Sequence, residues 1–184
     1  MTMTRNQGFI EGATRDGQSV TADWMPTGRA LIDGVRVIDI RSVAKRAGFL
    51  TEIFRADWPE ARHVEHVFQV TLAPGAISAW HAHRDTTDRL FASAGGITLA
   101  LYDGRAASPT HGRVLELQLT IARPQLVVIP PGVWHGLIVT GIAPAIVLNL
   151  TDRPYAYDDP DHWRLPADTP KIPYRFAAAR DALG

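Results

Sequence analysis

From about residue 35 onward the chain is built of short apolar alternations rather than helical stripes. Val35, Val37, Ile38 and Ile40 form one group, Phe68, Val70 and Leu72 a second, and Ile97, Leu99 and Leu101 a third. Leu115, Leu117, Leu119 and Ile121 alternate with Glu116, Gln118 and Thr120, the period of two that a half-buried strand imposes. QLVVI at 125–129, WHGLIV at 134–139 and AIVLNL at 145–150, each bounded by Gly or Pro, are further strands. No stretch in the middle of the chain carries a helical stripe of three turns, and only RFAAARDALG at 175–184 reads as a short C-terminal helix. Many short strands with turn signals roughly every ten residues predict an all-β sandwich or barrel. Residues 1–30 are polar and punctuated by Gly12, Gly17 and Pro26, so they are expected to form an N-terminal arm, with 31–184 as one β-domain.

Composition narrows the function. A chain of 184 residues is long enough to bury a real core and short enough for one full-sized domain. Lys and Arg number 19, as do Asp and Glu, so no net field exists to hold nucleic acid or an anionic membrane; neither is expected as a partner. There are no cysteines, which excludes disulfides, thiolate metal sites and a cysteine nucleophile. The opening MTMTRNQGFIEG lacks an apolar stretch of leader length, and a cytoplasmic location is expected.

The chemistry is concentrated in histidines. His81 and His83 are two apart in WHAHR, so on a strand both leave one face while Trp80 and Ala82 leave the other. His63, His66, His111 and His162 have no such partner and are read as surface residues. Trp80, Trp134 and Trp163 are read as barrel packing.

A longer pattern surrounds the pair: Gly75, His81, His83, Asp88 and Gly95, then Pro130, Pro131, Gly132 and His135. It resembles the two motifs of the cupins, with Asp88 where that family usually has Glu. The resemblance implies a double-stranded β-helix, a jelly-roll barrel. In metal-binding cupins the corresponding residues hold one divalent metal, which here makes His81, His83, Asp88 and His135 ligands for Fe, Mn, Ni or Zn. A second resemblance lies between the motifs. IDGVRVIDI at 32–40, GFLTEIFR at 48–55, YDGRAASPTHGR at 102–113, VIPPGVWHGL at 128–137 and LTDRPY at 150–155 are similar, in order, to the blocks of dTDP-4-dehydrorhamnose 3,5-epimerases.

That family takes no cofactor; it removes and returns the protons beside the C4 ketone of a dTDP-linked 6-deoxysugar. The resemblance implies His81 as base, oriented by Asp159, with Arg89 near the developing oxyanion and His135 on the substrate. It also implies nucleotide contacts from Arg46, Phe49 and Glu52, across the interface of a homodimer. The chain departs from the family at three places. Ser78 replaces an arginine, Leu148 replaces the acid tyrosine and cannot donate a proton, and His83 stands where the epimerases commonly carry Gln. Three readings follow: a metal-free sugar-nucleotide epimerase or isomerase, a metal-dependent cupin isomerase or oxygenase acting on a small ligand, and a non-catalytic sugar-binding relative.

Overall fold

The computed structural model describes residues 10, 12–15, 17–24, 27, 30–58 and 63–176. The chain divides into two compact units, 1–30 and 31–184. Within the first, backbone turns form where the Trp24 and Thr27 amides donate to the carbonyls of Thr21 and Ser19, each at 3.0 Å. No helix among the described residues is long and apolar enough to cross a membrane.

The second unit is all-β. In chain order its strands are β1 (Arg36–Asp39), β2 (Ser42–Lys45), β3 (Gly48–Thr51), β4 (His66–Leu72), β5 (Ile77–Ala82) and β6 (Asp88–Ala94). There follow β7 (Gly96–Asp103), β8 (Val114–Thr120), β9 (Gln125–Ile129), β10 (Val133–Val139), β11 (Ala145–Thr151) and β12 (Trp163–Arg164). Two five-stranded antiparallel sheets, ordered β1-β9-β6-β11-β4 and β12-β5-β10-β7-β8, pack face to face as a jelly roll, while β2 and β3 form a separate hairpin. One half of the space between the sheets is filled: Leu90, Ala92, Val127 and Ile129 of the first meet Leu99, Leu101, Leu117 and Leu119 of the second. The other half is hollow.

Burial follows strand position. β8 is an edge strand and alternates, with Leu115, Leu117 and Leu119 buried and Glu116 and Gln118 exposed; Ile121 lies beyond its end and is exposed. β6 lies between β9 and β11, so Asp88 through Ala92 are all buried and show no alternation. This is why DRLFASA carries no period-two signal. Residues 177–184, most of the expected C-terminal helix, lie outside the described residues. Tyr174 and Phe176 before them pack with ring centroids 5.9 and 5.0 Å from that of the fully buried Trp80. Trp163 is half exposed, with the Arg84 guanidinium 5.0 Å above its ring, so barrel packing holds for Trp80 and not for Trp163.

Candidate active site

The hollow half is a cavity of about 1140 Å³. Its walls are the facing side chains of β4, β5, β6, β10 and β11, closed at one side by residues 152–162. His81, His83 and His135 all line it, as strand parity requires. His81 is the register partner of His135 on the neighbouring strand, and Gly136 permits that closeness: a Cβ there would lie 2.4 Å from Ala79 Cβ. The Pro130-Pro131-Gly132 turn fixes His83, since the Gly132 amide, with φ +79°, donates to the His83 carbonyl at 2.7 Å.

Two histidine groups share the cavity. In the first, His83 Nδ1–H donates to the Asp161 carbonyl and Nε2 lies 3.2 Å from Asp88 Oδ2. With an acceptor at each nitrogen, the ring carries both protons. Burial opposes that charge, but the hydrogen bond and charge of Asp88 and the contacts with Asp161 outweigh it and raise the proton affinity of His83. Burial likewise opposes ionisation of Asp88, yet the bond from His83, the charges of His135 and His83, and a 2.7 Å bond from Asn149 Nδ2 hold it below the usual carboxylate range. His135 Nε2 lies 3.4 Å from the same Asp88 oxygen, and its Nδ1–H faces the Val133 carbonyl at 3.3 Å. Burial, opposed by the charge of Asp88 and reinforced by that of His83, lowers the proton affinity of His135.

In the second group, His81 Nδ1 is 2.8 Å from His162 Nε2, and His81 Nε2 is 3.1 Å from Ser78 Oγ. Burial, followed by the neighbouring His135, Arg164, His162 and His83, pushes the proton affinity of His81 down to about 3. Burial and the charges of His83, Arg164 and His135 also lower that of His162.

These contacts revise several expectations. Asp159 lines the cavity, but the His81 nitrogen expected to meet it meets His162. Asp161 is spent elsewhere: its carboxylate accepts from the Arg84, Asp85 and Thr86 amides and the Thr86 hydroxyl, which holds it down at about 2 although burial acts the other way. His162 and His66, both partly buried, line the cavity, whereas His63 borders it and is exposed, as expected. β12 pairs with β5 so that Trp163 faces Ala82 and Arg164 faces His81, which brings His162 alongside the pair.

Arg89 is buried but lies outside the cavity lining, because on β6 Asp88 and Leu90 take the inward positions. Leu148 also faces away, into an apolar cluster with Phe91, Leu126 and Leu150, while Val147 and Asn149 face the cavity. Tyr155 does line the cavity, with Tyr157 stacked edge-on against it at 5.3 Å. Arg46 falls in the turn between β2 and β3, Phe49 on β3 is 79% exposed, and Glu52 beyond it pairs with Arg55 at 3.6 Å, none of them in the cavity wall. The SPTHG segment is a structural lock: Asp103, wholly buried, accepts from Arg105, Ser108 and Thr110, which together overcome burial and hold its carboxyl below the usual range.

Of the four residues expected to bind metal, ligand atoms of His83, Asp88 and His135 lie within 4.8 Å of one another, and His81 stands outside this group. The trio fits a divalent ion chemically. Each imidazole has its Nδ1–H committed to a backbone carbonyl, and neutral His135 turns its Nε2 lone pair toward a carboxylate oxygen, a contact that a cation would relieve.

A jelly-roll barrel whose cavity gathers His81, His83 and His135 is the architecture of a cupin. Residues 29–182 match the family model of dTDP-4-dehydrorhamnose 3,5-epimerase, and the chain belongs to that family and is an enzyme of the epimerase type. Among relatives, it is 35% identical over 139 residues to the probable low-salt glycan biosynthesis epimerase Agl13 of Haloferax volcanii, covering 74% of this chain and 89% of that one. It is 32% identical to the spore coat polysaccharide biosynthesis protein SpsL of Bacillus subtilis, covering 79% and 97%. The dTDP sugar isomerase of Desulfovibrio desulfuricans superposes with a TM-score of 0.74 at 32% identity, covering 78% of this chain and 90% of that one.

Proposed function

We propose that the protein epimerises a dTDP-linked 4-keto-6-deoxysugar at a carbon beside the ketone, by proton transfer at His81. The observation that carries this reading is the placement of His81: an imidazole held in the cavity wall by a partner on Nδ1, beside His83 and His135. His81 Nε2 takes the proton next to the ketone, and the resulting enolate oxygen is stabilised from the His83 side, where a raised proton affinity favours a cationic imidazole. Tyr155, the tyrosine among the described residues that lines the cavity, returns a proton on the opposite face in place of the inert Leu148. Asp159 bounds the substrate space without touching the base.

A dimer is part of the same reading. The β2–β3 hairpin exposes Val43, Phe49 and Leu50, and the outer face of the edge strand β4 exposes Val67, an apolar hairpin and an open sheet edge suited to pairing with a second copy. Arg46, Phe49 and Glu52 would then reach the partner's nucleotide. Residues 1–30 are dispensable to the barrel, so their deletion should leave its melting temperature within a few degrees.

Incubation with dTDP-4-keto-6-deoxyglucose in deuterated water, followed by NMR, tests the reaction. Deuterium and inverted configuration beside the ketone are expected; no exchange with several keto-sugar nucleotides contradicts the proposal.

The His83, Asp88 and His135 trio supports a second reading, in which these three residues hold Fe, Mn, Ni or Zn. Such an ion would act as a Lewis acid toward the ketone. Elemental analysis after supplementation with each metal decides it: stoichiometric metal lost in His83→Ala supports this reading, and metal-free protein ends it.

A further inference from the structure

We infer that His162 is the positioning residue of the base: it accepts the Nδ1–H of His81 and so turns the bare Nε2 of that ring to the substrate. The inference rests on the epimerase reading, which decides which ring donates; the close contact between the two rings does not depend on it.

The geometry is direct. His81 Nδ1 and His162 Nε2 are 2.8 Å apart with ring centroids separated by 5.0 Å. Two imidazole nitrogens at that distance must share one proton, so one ring donates and the other accepts. If His81 donates, its Nε2 has a lone pair toward the cavity and accepts the Ser78 hydroxyl at 3.1 Å, a bond that a substrate C–H replaces. If His162 donates, His81 Nε2 carries the hydrogen and cannot act as a base. Reaction at His81 therefore requires the first arrangement, with His162 protonated on Nδ1 at the half-exposed side of the cavity.

An imidazole in this place does something a carboxylate would not. A carboxylate orients the ring and also attracts the proton that the ring takes up, whereas neutral His162 orients it without adding charge. No carboxylate takes the role, since Asp161 is committed to residues 84–86.

The test is ¹⁵N NMR of histidine-labelled resting protein at neutral pH, with the His81 signals assigned by their loss in His81→Asn. Protonated Nδ1 and bare Nε2 on His81 are expected in the wild type. His162→Gln, whose side-chain oxygen also accepts, should retain that tautomer and kcat within about threefold, whereas His162→Leu should lose it and lower kcat on the order of 10²-fold with KM little changed, because a misassigned tautomer disables a base. His81 bare on Nδ1 in the wild type, or an unchanged tautomer in both variants, overturns the inference. Because the spectrum is read without turnover, a protein with the expected tautomer but no exchange activity would instead count against the epimerase reading.

Discussion

The two histidine groups occupy one cavity, with His83 and His162 ring centroids only 5.2 Å apart, yet they hold their protons oppositely. The proton affinity of His83 is raised and that of His81 is lowered. Burial pushes both toward neutrality; the difference is the buried carboxylate of Asp88, aided by the contacts with Asp161, which act on His83 and not on His81. A proton-transfer site needs this division, because an acid-like cation and a free base within one cavity cannot be had from identical surroundings.

The largest effect should come from removing the neutral member. His81→Asn keeps polarity but cannot take a proton, and both deuterium exchange and inverted product should fall by about 10²–10⁴-fold, the usual contribution of a general base. Loss of inversion with exchange intact would place the base elsewhere.

Breaking the charged member should show first in stability. Asp88→Asn leaves His83 without its counter-charge in a buried site and should cost about 3 kcal/mol in chemical denaturation. Its pH dependence has a defined sign. The raised proton affinity of His83 contributes stability that is full below its unfolded pKa of about 6.5 and is lost as pH rises through the folded value. The depressed Asp88 contributes above about pH 4 and is lost as pH falls through its folded value. The gap between wild type and Asp88→Asn should therefore be widest between about pH 4 and 6.5 and should narrow toward alkaline pH. An equal gap at pH 5 and pH 9 would show that the pair is not ionic.

A smaller effect separates exchange from inversion. Tyr155→Phe should preserve deuterium uptake while lowering inverted product by about 10²-fold, since only the opposite-face donor is lost. Ser78→Ala removes a single neutral hydrogen bond to His81 Nε2, about 0.5–1.5 kcal/mol, so kcat should change by no more than about tenfold.

The sequence made the charged group legible and half of the neutral one. Strand parity and the GxxxxxHxH pattern place His81 and His83 on one face, and the PPG turn places His135 opposite. The β8 alternation is visible because its outer face meets water, whereas β6, covered on both sides, shows no period although it carries Asp88. His162 was hidden because β12 is two residues long and pairs across some 80 positions, a contact that no local pattern encodes. Arg89 and Leu148 were placed at the site by motif spacing, and strand facing puts their neighbours Asp88 and Asn149 there instead.

The most direct test of the account is whether the reaction needs anything beyond these side chains. Protein stripped with a strong chelator and verified metal-free should be offered dTDP-4-keto-6-deoxyglucose in deuterated water and followed by NMR. Deuterium at a carbon beside the ketone, at a rate unchanged by adding back Fe, Mn, Ni or Zn, is the predicted result. Exchange that vanishes on stripping and returns with one of those metals would contradict it and assign the chemistry to the His83, Asp88 and His135 trio.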